Sequence, residues 1–165
     1  MQKMKFMPAM GESSRRRNCR ITLTGRNGRM EFTNRAMRRI RKLKQLTSRR
    51  WGVSNSVKAQ KIAEVLRGWI NYFKIGSILT VTRKLDTMLR YRFRMCIWKH
   101  WKTPQNKYKN LVKLGVGSRN AARAAWSHGY ARICRTEAVC YAMSNARLAR
   151  FGLLSAEAYF VKVSS

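Results

Sequence analysis

Ser56-Val57-Lys58-Ala59-Gln60-Lys61-Ile62-Ala63-Glu64-Val65-Leu66-Arg67-Gly68-Trp69-Ile70-Asn71-Tyr72-Phe73-Lys74 carries the clearest structural pattern in the chain. Ile62, Leu66, Trp69, Ile70 and Phe73 recur at spacings of three and four. That spacing gathers them on one side of an α-helix and predicts a buried stripe over about 56–74. Ser54 or Ser56 can cap its start, and Gly76 can end it.

The same logic extends in both directions. Upstream, Thr33 or Asn34 can cap a helix through about Thr47, with Met37, Ile40, Leu43 and Leu46 on its apolar side. Its other faces carry Arg35, Arg38, Arg39, Arg41, Lys42 and Lys44. These cations repel one another with no acidic residue four positions away, a penalty that a bound polyanion would remove. Downstream, Thr80 or Thr82 starts a third helix over about 80–102. Leu85, Met88, Leu89, Phe93, Cys96, Ile97 and His100 or Trp101 mark its inner side. Arg83, Arg90 and Arg94 lie along an outer side, and Arg92 and Lys99 along another. Thr103-Pro104 restarts the pattern, with Thr as N-cap and Pro at the first helical position. Short helices are predicted over 104–114, 118–128 and 131–143, then from Ser144 through Arg150, and finally from Ser155 to about Val161. At the other end, alternation around Asn27-Gly28 predicts a β-hairpin at about 19–32. The expected fold is all-α: a three-helix bundle followed by shorter helices, with a small N-terminal β-hairpin arm. The expected divisions are 1–32, 33–102 and 103–165.

Lys and Arg number 37 against six Asp and Glu among 165 residues, a net charge of +31. Such an excess implies disorder or a polyanionic partner. Disorder is excluded by 45% hydrophobic residues, with five Trp, six Tyr and six Phe to build a core. A membrane partner is disfavoured, because no apolar run reaches about 18 residues and the cations spread through every segment. Lys3, Lys5 and Pro8 interrupt any apolar stretch at the N-terminus, so no signal peptide is expected. Cys19, Cys96, Cys134 and Cys140 form no C-x-x-C pair, and His100 and His128 stand apart. Reduced, mostly buried thiols are expected, with no metal site and no cofactor.

Three stretches go further. They are Leu66-Arg67-Gly68-Trp69-Ile70-Asn71-Tyr72-Phe73, then Ile97-Trp98-Lys99-His100-Trp101-Lys102, and Ser144-Asn145-Ala146-Arg147-Leu148 followed by Gly152-Leu153. With Leu46-Thr47-Ser48-Arg49 and Asn110-Leu111-Val112-Lys113-Leu114-Gly115, they resemble the maturase-specific region of group II intron-encoded reverse transcriptases, over about 32–160. The resemblance implies a thumb, or domain X, that clasps intron RNA and helps it reach its splicing-competent fold. It implies that residues 1–32 are the tail of a polymerase palm. The chain departs from the family where the polymerase would act. The palm's Tyr and paired aspartates are absent, and Asp86 is the only aspartate. Two-metal phosphoryl transfer needs clustered carboxylates, so no catalytic residue is assigned. The endonuclease that many members carry after this region is also missing. The chain is therefore expected to be a fragment of a longer protein or a truncated product, working in a bacterial cytoplasm or an organelle.

The expected partner is group II intron RNA, with DNA and the polymerase part of the same protein as alternatives. A basic structural protein of a ribonucleoprotein particle is the remaining alternative. The candidate RNA-binding residues are Arg35, Arg38, Arg39, Arg41, Lys42, Lys44, Arg49, Arg50, Arg67, Lys74, Arg83, Arg90, Arg92, Arg94, Lys99, Lys102, Lys107, Lys109 and Lys113. Trp98 and Trp101 cannot share one face, so one of them is a candidate for stacking on a base or sugar. Trp69 and Trp51 are expected to pack. Asn71 is expected to bond a neighbouring helix end, Asp86 to pair with Arg83 or Arg90, and His100 to be packed. On a primed template with Mg²⁺ the purified chain should incorporate no nucleotide. Extension of a labelled primer would overturn the argument from missing carboxylates.

Overall fold

A computed structural model describes residues 22–24, 30–32, 34–73 and 78–164, with side chains from 37 to 73 and from 78 to 164. The fold is all-α. Its helices are α1 (Asn34–Leu46), α2 (Asn55–Phe73), α3 (Leu79–His100), α4 (Pro104–Lys113), α5 (Ser118–Ala125), α6 (Tyr130–Ile133), α7 (Glu137–Ala142), α8 (Asn145–Arg150) and α9 (Ala156–Ser164). Of the expected hairpin arm, two three-residue strands, Thr22–Thr24 and Met30–Phe32, lie antiparallel with Leu23 opposite Glu31. The Asn27-Gly28 turn and residues 1–21 lie outside the described residues, so the arm is not established as part of the fold.

The apolar stripes fall where their spacing places them. Ile62, Leu66, Trp69, Ile70 and Phe73 of α2 join Ile40, Leu43 and Leu46 of α1 and Leu85, Leu89, Phe93 and Ile97 of α3 in a core that continues through Leu111, Val139 and Leu148 to Ala156. α1 packs on α2, and the C-terminal helix α9 packs on both α2 and α3.

The helix ends follow local chemistry. Ser54 Oγ accepts from Val57 N (3.3 Å) at the start of α2. Thr103 accepts from Asn106 N (3.3 Å) before Pro104. Gly115 and Gly152 have φ of +89° and +87°, a left-handed conformation that glycine adopts without a Cβ penalty. Each closes a helix by a paired bond: Val116 N to Leu111 O (3.1 Å) with Gly115 N to Val112 O (2.9 Å), and Leu153 N to Leu148 O (3.2 Å) with Gly152 N to Ala149 O (2.8 Å).

Three expectations need correction. Neither Thr80 nor Thr82 caps α3. The helix starts after Ile78 without a side-chain cap, and Thr82 is buried inside it, donating to Leu79 O (2.8 Å). The single helix expected over 131–143 is two, α6 and α7. Thr136 turns to extended geometry and its hydroxyl donates to Ile133 O (2.7 Å), a local bond that competes with helix continuation. His100 is exposed at the end of α3, not packed.

Asp86 has a larger role than pairing with a neighbouring arginine. It is 2% exposed on α3. Its carboxylate accepts from Ser155 Oγ (2.6 Å), Ala156 N (2.7 Å) and Glu157 N (3.2 Å), and meets Arg90 Nη2 at 3.4 Å. It thereby satisfies the orphan N–H groups and positive end of α9 from another helix. Arg83 pairs instead with Glu157 (2.8 Å), and Asn71 with the Tyr159 hydroxyl (3.3 Å), so both also tie α9 down. Replacing Asp86 with Ala should cost about 2–4 kcal/mol, read as a fall in thermal midpoint by circular dichroism. A loss under about 0.5 kcal/mol, the level of an ordinary surface change, would show that this carboxylate does not hold α9.

Candidate nucleic-acid interface

The candidate surface starts at α1. Its apolar side is used by Ile40, Leu43 and Leu46, which leaves Arg38, Arg39, Arg41, Lys42 and Lys44 exposed. None of these side chains has an ion-pair partner among the described residues. Arg35 and Lys74 lie outside the described side chains.

α1 borders two grooves. The first, of about 630 Å³, runs between α1 and α2. Arg38, Arg39 and Lys42 line one wall, and Gly68, Trp69 and Tyr72 the other. The second, of about 540 Å³, lies over α3 and includes Lys44, Lys84, Tyr91, Arg92, Arg94 and Arg135. Phosphates are the natural ligands of such walls, because each cation gains a charge-assisted bond and relief from its neighbours.

Several expected RNA contacts are engaged by partners within the protein. Arg92 donates to Thr47 Oγ1 (2.6 Å) and Lys44 O (2.8 Å), closing the C-terminal end of α1. Arg94 donates to Met143 O (3.0 Å) and Asn145 Oδ1 (3.3 Å), at the end of α7. Lys99 donates to Arg49 O (2.9 Å). Arg90 is held by Asp86 and Arg83 by Glu157. Arg49 stacks over the Tyr130 ring at 4.4 Å, and Lys107 lies over Trp98 and Tyr130 at 5.3 and 5.5 Å. These side chains hold the surface in shape. Arg50, Arg67, Lys102, Lys109 and Lys113 are exposed and scattered around it.

The tryptophans divide differently from expectation. Trp98 is 1% exposed and so cannot offer its face to a base. Trp101 is half-buried against it, ring centroids 5.6 Å apart. Trp51 and Trp69 pack as expected. The tryptophan that is most open, at 53%, is Trp126, beside Tyr108.

Sequence reasoning passed over Lys58, Lys84 and Arg135. Lys58 is 1% exposed and donates to Ser48 O (3.2 Å). Its position four residues before Ile62 put it on the apolar stripe, which was a readable sign of burial. Lys84, Met88 and Tyr91 share one side of α3 by the same spacing. Arg135 reaches that groove by tertiary packing and stands over the Tyr91 ring at 4.6 Å.

Of the described cysteines, Cys96 and Cys134 are buried, and Cys19 lies outside the described residues. Burial pushes the Cys134 thiol up to about 12. Burial also raises Cys96, against the lowering effect of Lys58, Arg92 and Arg49, and its thiol donates to Thr47 O (3.3 Å). Among the described residues, no group of three or more His, Cys, Asp and Glu could hold a metal ion. No described helix is long and apolar enough to cross a membrane.

No curated protein matches the sequence. The family model of the group II intron, maturase-specific domain matches residues 35–115, from the first cationic turn of α1 to the glycine that closes α4. Both groove-bordering faces of α1 and the whole of α2 and α3 fall within that match. Residues 35–115 of the chain are thus similar to the group II intron, maturase-specific domain.

Proposed function

We propose that this protein is an RNA-binding maturase module that binds structured group II intron RNA and stabilises its splicing-competent fold. The observation that carries this reading is the outer face of α1. Arg38, Arg39, Arg41, Lys42 and Lys44 stand exposed within the matched residues, without carboxylate partners among the described residues. A helix so charged gains stability from a polyanion, and an intron RNA presents phosphates at high density. The protein would supply no chemistry. It would lower the free energy of the folded RNA, recognising it by shape and phosphate with few base-specific contacts.

In this reading residues 33–102 form the thumb and 103–165 its small helical continuation. Residues 1–32 would be the end of a polymerase palm. The module would work where such introns are transcribed, a bacterial cytoplasm or an organelle. The same surface offered to a template–primer duplex or target DNA is the competing reading, and a competition experiment separates the two.

At fixed moderate salt, a group II intron RNA should outcompete duplex DNA of equal phosphate number. Equal affinity would remove the RNA preference. Replacing Arg38, Arg39 and Arg41 together with Gln should lower the slope of log affinity against log salt by roughly 2–3. Fluorescence anisotropy across about 50–200 mM salt measures this. Helix content should be kept, because the change relieves repulsion within α1. An unchanged slope would move the interface away from α1.

A further inference from the structure

Beyond the matched residues, α5 presents a different kind of surface. Arg119, Arg123 and Trp126 follow one another along one side of that helix at spacings of four and three, and all three are exposed. The Trp126 ring is 53% exposed, where Trp69 and Trp98 are 2% and 1%. One exposed apolar side chain is ordinary, but the surroundings of this one are specific. Trp126 N donates to Ala122 O (3.1 Å) and the Ser127 hydroxyl donates to Arg123 O, so the backbone around the ring is held at the end of α5. Tyr108 of α4 supports the indole, with centroids 5.8 Å apart and planes at 57°. The ring therefore needs little ordering when a partner arrives. Arg123, one turn before Trp126, and Ser127, directly after it, line a cavity of about 520 Å³ between α5, α6 and α7 that also includes Arg132, Glu137 and Tyr141. Two guanidinium groups against one carboxylate leave this lining positive, and neither arginine has an ion-pair partner among the described residues.

We infer that α5 makes a second RNA contact, in which an unpaired base stacks on the open face of Trp126 and an adjoining phosphate lies at the cavity mouth between Arg123 and Arg132. The inference rests on the RNA-binding reading and adds a contact that the cations of α1 cannot make, because a phosphate has no ring to stack. An apolar partner would satisfy the indole and leave the two guanidinium groups without an anion. A simple anion would satisfy the guanidinium groups and leave the indole in water. A nucleotide brings a flat π-face and a negative charge in one unit. Within a duplex both faces of a base are covered by its neighbours, whereas loops, bulges and single strands present bases that can stack on a side chain. Every base has a π-face, so this contact distinguishes a base from no base and tolerates any sequence.

The test uses the full chain and two labelled probes of equal phosphate number, a decauridylate and a base-free sugar–phosphate decamer, at one moderate salt concentration. The readout is the ratio of their affinities. Trp126→Leu removes the ring without touching a charge and should lower that ratio by about five- to a hundredfold, leaving the affinity for the base-free probe and the salt slope unchanged. Trp126→Tyr keeps an aromatic face and should retain most of the ratio. Replacing Arg123 and Arg132 together with Gln should weaken both probes alike and lower the slope of log affinity against log salt by roughly 2. A measurement on the unaltered protein guards against misfolded variants: a decauridylate carrying one 4-thiouridine should crosslink under long-wavelength ultraviolet light to the peptide containing Trp126. An unmoved ratio in Trp126→Leu, an equal loss on both probes, or crosslinks confined to other peptides would overturn the stacking contact while leaving RNA binding through α1 intact. Failure of the unaltered chain to bind intron RNA would overturn both readings together.

Discussion

A chain with 37 cationic side chains and six carboxylates has to settle most of its positive charge without ion pairs. For five of them, Lys58, Arg92, Arg94, Lys99 and Arg147, the structure does so with backbone carbonyls. Lys44 O takes Arg92, Ser48 O takes Lys58, Arg49 O takes Lys99, and Met143 O takes Arg94. Arg147 spans two further carbonyls, Leu114 O (2.9 Å) and Ala142 O (2.8 Å). Most of these acceptors lie at or just past the C-terminal ends of helices, where unsatisfied carbonyls and the negative end of the helix dipole favour a cation. The bonds from Arg92, Arg94 and Lys99, and that from Arg147 to Leu114 O, join elements that are 33 to 50 residues apart in sequence. Of the cations that have no such role, Arg38, Arg39, Arg41, Lys42 and Lys44 stand together on α1, while others are scattered over the rest of the surface.

The few carboxylates are placed with corresponding economy. Asp86 is the one buried acid among the described residues, and it sits against the N-terminal end of α9. Helix ends of both signs are thus closed by side chains from other helices: cations at the C-terminal ends, Asp86 at the start of α9. This arrangement fixes the relation of α9 to α2 and α3, and so the backing of the groove wall that carries Gly68 and Trp69.

The parts legible in the sequence were those governed by local rules. The stripes of α1, α2 and α3, the Thr103-Pro104 restart and the closing glycines Gly115 and Gly152 depend on residues within one or two turns. The break at Thr136 was missed because a hydroxyl bonding its own preceding turn reads, in sequence, like any other helical threonine. The interface was half legible. Spacing on α1 separated its cations from its core residues, which suffices for a surface helix. It could not separate Arg92, Arg94 and Lys99 from true surface cations. Their acceptors are carbonyls some 50 residues away, and every backbone has carbonyls, so no residue type marks the partner. The Trp98 side chain was misjudged for a related reason: α4 brings Lys107 over its ring, which the period of α3 alone does not reveal.

The short segment after α1 has a consequence for how the molecule behaves as an instrument of binding. Thr47 O, Ser48 O and Arg49 O are held in turn by Cys96, Lys58 and Lys99, donors that come from both α2 and α3. α1 is therefore clamped at its exit, and its charged face is presented at a fixed pitch. Salt screens exposed charges strongly but buried hydrogen bonds weakly. The same ion type thus acts in two regimes in this chain. If α1 seats the polyanion proposed above, concentrated electrolyte would strip it while the buried and part-buried bonds of Cys96 and Lys58 persist, so capture and release would cycle without the domain itself coming apart.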